Sequence, residues 1–502
     1  MIRSLAARPG RSCRAGLALT AGLLLLLAGC YTPNETPPPP TPTPKRPFTV
    51  MSTDPIRVVD PAAVVDQGSA ILAQNVYQRL MTADPGSSAP KPDAAARDCL
   101  FSAPTVVTCT LNTDLKFQNG HEFTSSDVKF SIERLTRLDI PGSSASLFSS
   151  LRRIETPDPL TVRFVLSRPD REFQWALASI GASVVDEEAY DADEIRAPDQ
   201  PIIGSGPYQV SRFQPEELQL ARFADYKGRT PGRLEGLVYK TAPDSGTIEE
   251  AIADAQVDVV WRGLNAAAVT RLRQQATAAP NSADGFTGRP LTGARVHQLL
   301  WNPDSRAGQN TAVRKAIALA LQSDRTLDSI VPPTVSGYVS SFPVGGVANP
   351  QVTWPKRIQL TLSYDPTSPD DRDLANQIRS RLEDTGGLSV RLRPQDAAAD
   401  LNLADRKAWS ATPVAWLQPY LASPPESSRE AVQTLEAQFR AATEDAQAQA
   451  LVAQLQNRAA SDLTVLPISQ SDEYLFIRVG VDVDPLSFGP GWQLGFWGMS
   501  GG

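Results

Sequence analysis

"IQLTLSYDPTSPDDRDLANQIRSRLEDTGGLSVRLR", residues 358–393, changes its hydrophobic period twice. Ile358, Leu360, Leu362 and Tyr364 alternate as one face of a strand, whereas Leu374, Ile378 and Leu382 repeat at helical spacing. Gly386-Gly387 ends the helix, and Leu388–Arg393 alternates again as a strand. A strand, helix and strand of this length make a parallel crossover, so the chain reads as α/β. In open α/β sheets ligands lie beyond the carboxyl ends of the strands. Tyr364 and the loop after it are therefore either at a crevice or an ordinary strand end.

Upstream, "LKFQNGHEFTSSDVKFSIERL" (115–135) holds an Asn-Gly turn and then Thr124 with Asp127 three residues on. That spacing is an N-terminal capping signal, and Val128, Ile132 and Leu135 share one face of the helix it starts. Residues 160–166, "GSGPYQVSRF" (204–213), "LEGLVYKTA" (234–242) and "RVHQLLW" (295–301) read as strands between Gly and Pro turns. Val432, Leu435 and Phe439, then Leu451 and Leu455, mark one or two late helices.

The amino terminus is a targeting segment. Arg3, Arg8, Arg11 and Arg14 precede an apolar run from Leu17 to Ala28, too short to span a bilayer, which needs about 20 apolar residues. Leu27-Ala28-Gly29-Cys30 resembles the bacterial lipoprotein box, which implies cleavage before Cys30 and lipid on that cysteine. Residues 31–47 contain eight prolines and form a stiff tether that extends on the order of 50 Å at about 3.1 Å per residue. Loss of residues 1–29 removes four cations and no acid, taking the formal charge from −7 to −11. An acidic chain without a basic, aromatic-interleaved patch is unsuited to nucleic acid.

Cys99 and Cys109 remain as an even pair outside the cell, symmetric about Pro104, and a disulfide across a hairpin is expected. The catalytic inventory is thin. His121 and His297 are the only histidines and lie far apart, so no metal site, no cofactor and no enzymatic activity are expected. His121, just after Gly120, reads as a surface turn residue.

Several segments resemble a known family, the extracellular solute-binding proteins of bacterial ABC importers, in the dipeptide, oligopeptide and nickel group called family 5. The likeness is carried by residues 115–135, by "IGSGPYQV" (203–210), "NTAVRKAIALALQSDR" (310–325) and "LANQIRSRLEDTGGLSVRLR" (374–393). "DPAAVVDQGSAILAQNVYQRLMT" (60–82) is similar to the family's opening helix. The resemblance covers about residues 50–500. It implies a two-lobed α/β periplasmic-binding fold of type II, in which a solute held in the cleft is passed to a membrane permease. By this analogy 1–29 is the signal, 30–47 the lipidated cysteine and tether, 48–262 with 470–502 the first lobe and 263–469 the second. Residues 259–264 and 464–470 would be the crossings.

Trp261, Arg262, Asn302, Tyr364, Trp409 and Trp416 are the candidate ligand-binding residues. The implied partners are a peptide or other small solute, permease subunits and, through Cys30, the membrane; a monomer is expected. A regulatory or scaffold lipoprotein that retains the fold is the alternative. Two departures from the family pattern bear on the ligand. Residues 407–425 carry no carboxylate, which favours a neutral or stacking solute unless Asp54, Asp60 or Asp365 supplies an anchor. The chain between Pro343 and Lys356 is also short for the helix usual there.

Overall fold

The computed structural model describes residues 46–84, 87, 89–279, 285–346, 354, 357–368, 370–408, 412–487 and 494–501. The signal segment, Cys30, most of the tether, Trp409 and most of the shortened segment before Lys356 lie outside them. Residues 46–502 form one compact unit.

Its strands, in chain order, are β1 (Thr49–Ser52), β2 (Leu100–Ala103), β3 (Val106–Thr110), β4 (Leu151–Asp158), β5 (Thr161–Leu166), β6 (Tyr208–Gln214) and β7 (Glu217–Arg222). There follow β8 (Gly236–Thr241), β9 (Val259–Trp261), β10 (Phe286–Trp301), β11 (Ile358–Tyr364), β12 (Leu388–Pro394), β13 (Leu401–Asp405) and β14 (Val465–Arg478). The helices that matter here are α1 (Gln67–Val76), α2 (Ser125–Leu138), α3 (Ala266–Ala278), α4 (Thr311–Ala320), α5 (Asp371–Glu383), α6 (Pro413–Ala422), α7 (Arg429–Ala441) and α8 (Asp445–Asp462).

Ten strands make one mixed sheet in the order β12-β11-β13-β10-β14-β9-β1-β8-β7-β6, and β2-β3-β5-β4 make a separate antiparallel sheet. The crossover read at 358–393 is present: β11 and β12 pair in parallel from Ile358–Leu388 to Tyr364–Pro394, and α5 buries Ala375, Ile378 and Leu382 against them. The Thr124–Asp127 capping box starts α2, with the Thr124 backbone N–H donating to Asp127 at 2.8 Å. Cys99 and Cys109 are disulfide-bonded across the β2–β3 hairpin with their Cα atoms 4.4 Å apart.

The glycines of "IGSGPYQV" have a steric reason. A Cβ on Gly204 would lie 2.0 Å from the Val76 carbonyl oxygen at the end of α1, and one on Gly206 2.6 Å from the Val76 carbonyl carbon. Gln118 fastens the same place, donating to the Val76 and Tyr208 carbonyls at 3.2 and 2.8 Å and accepting from Gly204 N–H at 3.0 Å. Three stretches distant in sequence thus lock into one joint of the first lobe.

The buried apolar side chains divide in two groups. One set of clusters draws on Phe48 to Phe286 and then on Leu475 to Met499. The other draws on Val296 to Ile468. Only β10 and β14 run through both. Phe286–Leu291 of β10 pairs with Arg478–Glu473, the register slips between Leu291 and Arg295, and Arg295–Leu300 pairs with Ser471–Val465. At the slip Gly293 takes φ +65°, and a Cβ there would sit 2.3 Å from the Gln470 side-chain nitrogen. A bulge in a long antiparallel ribbon is where it bends most readily. Val259–Trp261 form the short strand β9, and Leu264, Ala268, Leu272 and Phe286 pack with Met51 and Phe476.

Candidate ligand cleft

Parallel strands carry their carboxyl-end loops to the same edge, and in both lobes those loops meet. In the first lobe β1 lies between β8 and β9, parallel to each, and delivers Asp54, while β9 delivers Arg262 and Gly263. In the second lobe β11 lies between β12 and β13; past its end comes Asp365, and β13 ends in Asp405, followed by Arg406 and Lys407.

Arg262 takes φ +59°, and its guanidinium crosses to the second lobe, with Nη2 2.7 Å from Asp405 Oδ2. Its Nε lies 3.4 Å from Asp54 Oδ2 and 3.8 Å from Glu473. Lys407 Nζ donates to Asp405 Oδ1 and to the Ala294 carbonyl, both at 2.7 Å. Arg295, from β10, meets Asp370 at 2.9 Å and Glu473 at 3.3 Å. Deeper in the second lobe His297 Nε2 lies 3.0 Å from Asp371.

These contacts set the charges. Burial would push the Asp405 carboxyl up, but Lys407, Arg262, His297 and Arg295 together hold it well below the usual carboxylate range. Burial pushes Asp54 up; Arg262 and Ser52 oppose it, and Glu473 and Asp365 add to the rise. Burial, too, pushes Lys407 down despite Asp405. Arg406 stands apart. Burial lowers its guanidinium to about 10, its Nε is enclosed without a hydrogen-bond partner, and among the described residues no acid pairs with it. The side chain is half-buried, with its backbone N–H fixed to Val296 O at 2.7 Å.

The other candidates fall elsewhere. Trp261 packs in the first-lobe core at 1 % exposure. Tyr364 and Trp416 belong to the second-lobe core. Asn302, at the end of β10 away from the bulge, staples the Ala397–Asp400 turn by donating to Ala399 O at 3.1 Å. Trp409 lies outside the described residues. Asp60 is buried in the first lobe on Arg134 Nη1 at 2.9 Å, whereas Asp365 comes near enough to Asp54 to raise it. His121 is the turn residue expected, its Nδ1 2.8 Å from Asp186.

Reading the sequence missed Asp405, Arg406, Lys407, Arg295 and Glu473. The available signal was charge inside apolar strands: "ARVHQLLW" places Arg295 and His297 on alternate positions, and Asp-Arg-Lys directly follows the strand "LNLA". Among the described residues no cluster of three potential ligating groups could hold a metal ion, and no helix is long and apolar enough to cross a membrane.

Two α/β lobes joined by two strands meet here at a junction of paired charges. The model of the bacterial extracellular solute-binding proteins, family 5, matches residues 89–432. The chain belongs to this family. Of its curated relatives, the probable D,D-dipeptide-binding periplasmic protein DdpA of Escherichia coli (strain K12) is 32 % identical over 184 residues, 35 % of each chain. The glutathione-binding protein GsiB of Salmonella typhi is 24 % identical over 315 residues, 61 % of this chain and 57 % of that one. The alignments thus span between a third and three fifths of these relatives. The dipeptide-binding protein of Pseudoalteromonas sp. SM9913, solved with Met-Leu, superposes with a TM-score of 0.77 at 18 % identity, covering 91 % of this chain and 100 % of that one. The family 5 architecture is therefore that of the whole described chain.

Proposed function

We propose that this family 5 chain is a membrane-anchored capture protein whose inter-lobe cleft takes a small zwitterionic solute, such as a short peptide, for delivery to an ABC permease. The observation that carries the reading is Arg406. A guanidinium with no internal counter-ion, beside a junction where every other cation is paired, suits a ligand carboxylate. Asp54 and Asp365, which approach from opposite lobes, suit an ammonium. That differs from the neutral solute favoured by the sequence of residues 407–425, because Asp54 and Asp365 come from other strand ends, far from that window in sequence.

Arg262 spans the cleft and helps to hold the two walls in register. We place the hinge at the Gly293 bulge of β10 and the facing part of β14, which gives residues 263–291 to the first lobe. Lipid on Cys30 and the proline tether keep a monomeric capture protein beside its permease and raise its effective concentration there.

Calorimetric titration with one dipeptide in free, amino-acetylated and carboxy-amidated forms tests this. The free form is expected to bind best, and Arg406→Gln to weaken it about tenfold or more while leaving the amidated form unaffected. No binding of any form would instead support the regulatory or scaffold reading.

A further inference from the structure

A second junction joins the lobes away from the sheet. Asp170 follows β5 in the first lobe, and Arg440 lies near the end of α7 in the second. Arg440 Nη1 is 3.1 and 3.2 Å from the two Asp170 carboxylate oxygens, with the side chains 5 % and 0 % exposed. The neighbouring Arg171 reaches across as well. Its backbone N–H donates to Arg440 O at 2.9 Å, its side chain to Ala442 O at 3.2 Å and Asp445 at 2.6 Å, and its guanidinium lies 5.7 Å from the Phe439 ring centre. Glu172 bonds Thr412, at the start of α6.

Each half is fixed by its own lobe. Asp170 accepts from Ser150 Oγ at 2.7 Å and from Glu172 N–H at 3.1 Å. Arg440 Nε donates to Glu436 at 2.9 Å. Neither half therefore needs the other to keep its conformation, and little ordering entropy is lost when they meet. On separation both charges return to water, so the pair never becomes an uncompensated buried charge. Preorganised halves, a desolvated ion pair and a main-chain bond that exist only when the lobes touch are the makings of a reversible catch.

We propose that residues 170–172 of the first lobe and Thr412, Arg440, Ala442 and Asp445 of the second form a ligand-independent latch. The empty protein rests closed, and solute enters during transient release. This rests on the reading of the lobes as moving about β10 and β14, and it adds that closure does not await the ligand. An equilibrium already biased to the closed form raises apparent affinity, because less of the ligand's binding free energy goes into closure.

Hydrogen–deuterium exchange on the full-length protein, freed of solute by unfolding and refolding with the disulfide intact, reads the latch at the Arg171 amide. In the wild type that amide is expected to be protected without ligand. Arg440→Gln should speed its exchange at least tenfold, and Arg171→Ala, which removes a half-buried side chain, should do so to a smaller degree. Amides within β5 and α8 serve as the folding control and should be unchanged in both variants. A wild-type Arg171 amide that exchanges as an open loop does, or one that stays equally protected in both variants, overturns the latch. Because no ligand enters the measurement, failure to find a solute would leave this result standing, and loss of protection would leave the capture reading standing.

Discussion

At the scale of single residues, Asp54 and Asp405 carry the same charge and opposite consequences. Asp405 is held well below the usual carboxylate range, so its contribution to stability is complete above that range and is lost as pH falls through it toward the lowered native value. Asp54 is raised. It subtracts from stability above its raised native value, and that penalty fades as pH falls through that value toward the usual range. Asp405→Asn strands Lys407 in a buried junction and takes from Arg262 its nearest acid, and is expected to cost about 3 to 5 kcal/mol at neutral pH. Asp54→Asn should instead raise the neutral melting temperature. Melting curves followed from neutral to acid pH check both: the deficit of Asp405→Asn should shrink on acidification, and so should the gain of Asp54→Asn. An acid-independent difference in either variant would mean that the assigned environment is wrong. Little of this was legible in the sequence. Arg262 could be singled out by its place beside a strand end, but its nearest partner, Asp405, lies 143 residues away, and no local pattern encodes that meeting.

At the scale of elements, the local signals were strong. The capping box of α2, the period change at 358–393 and the symmetry of Cys99 and Cys109 about Pro104 each arise from contacts within a few residues, and each reappears in the fold. Trp261, Trp416 and Tyr364 were less legible. An aromatic at a strand end looks the same whether it faces a cleft or a core, and Trp261, Tyr364 and Trp416 face cores. The passage between the two groups of buried side chains was also hard to read, because β10 and β14 run through it as a continuous strand pair with only a register slip between Leu291 and Arg295. The disulfide gives the element-scale prediction. It closes a short loop across β2 and β3, at the edge of a sheet whose outer strand β2 is exposed along its length. Replacing both cysteines by serine should lower stability by roughly 2 to 3 kcal/mol in urea unfolding. An unchanged midpoint would show that the hairpin's pairing and the Gln174 bond to Cys99 O hold the edge unaided.

At the scale of the molecule, one sheet of ten strands serves two lobes, and among the described residues the lobes meet along the β10–β14 ribbon, at the Arg262–Asp405 pair and at the Asp170–Arg440 pair. In the proposed reading the ribbon is where the molecule bends, the junction offers charges to a solute, and the latch holds the lobes together. The account depends most on the claim that Arg406 is left unpaired for the anionic end of a ligand. Native mass spectrometry of the mature protein, released gently from its host's membranes, tests this directly. Wild-type protein is predicted to carry one small zwitterionic adduct per chain, and Arg406→Gln to emerge largely bare; a bare wild type, or equal retention by the variant, would contradict the account.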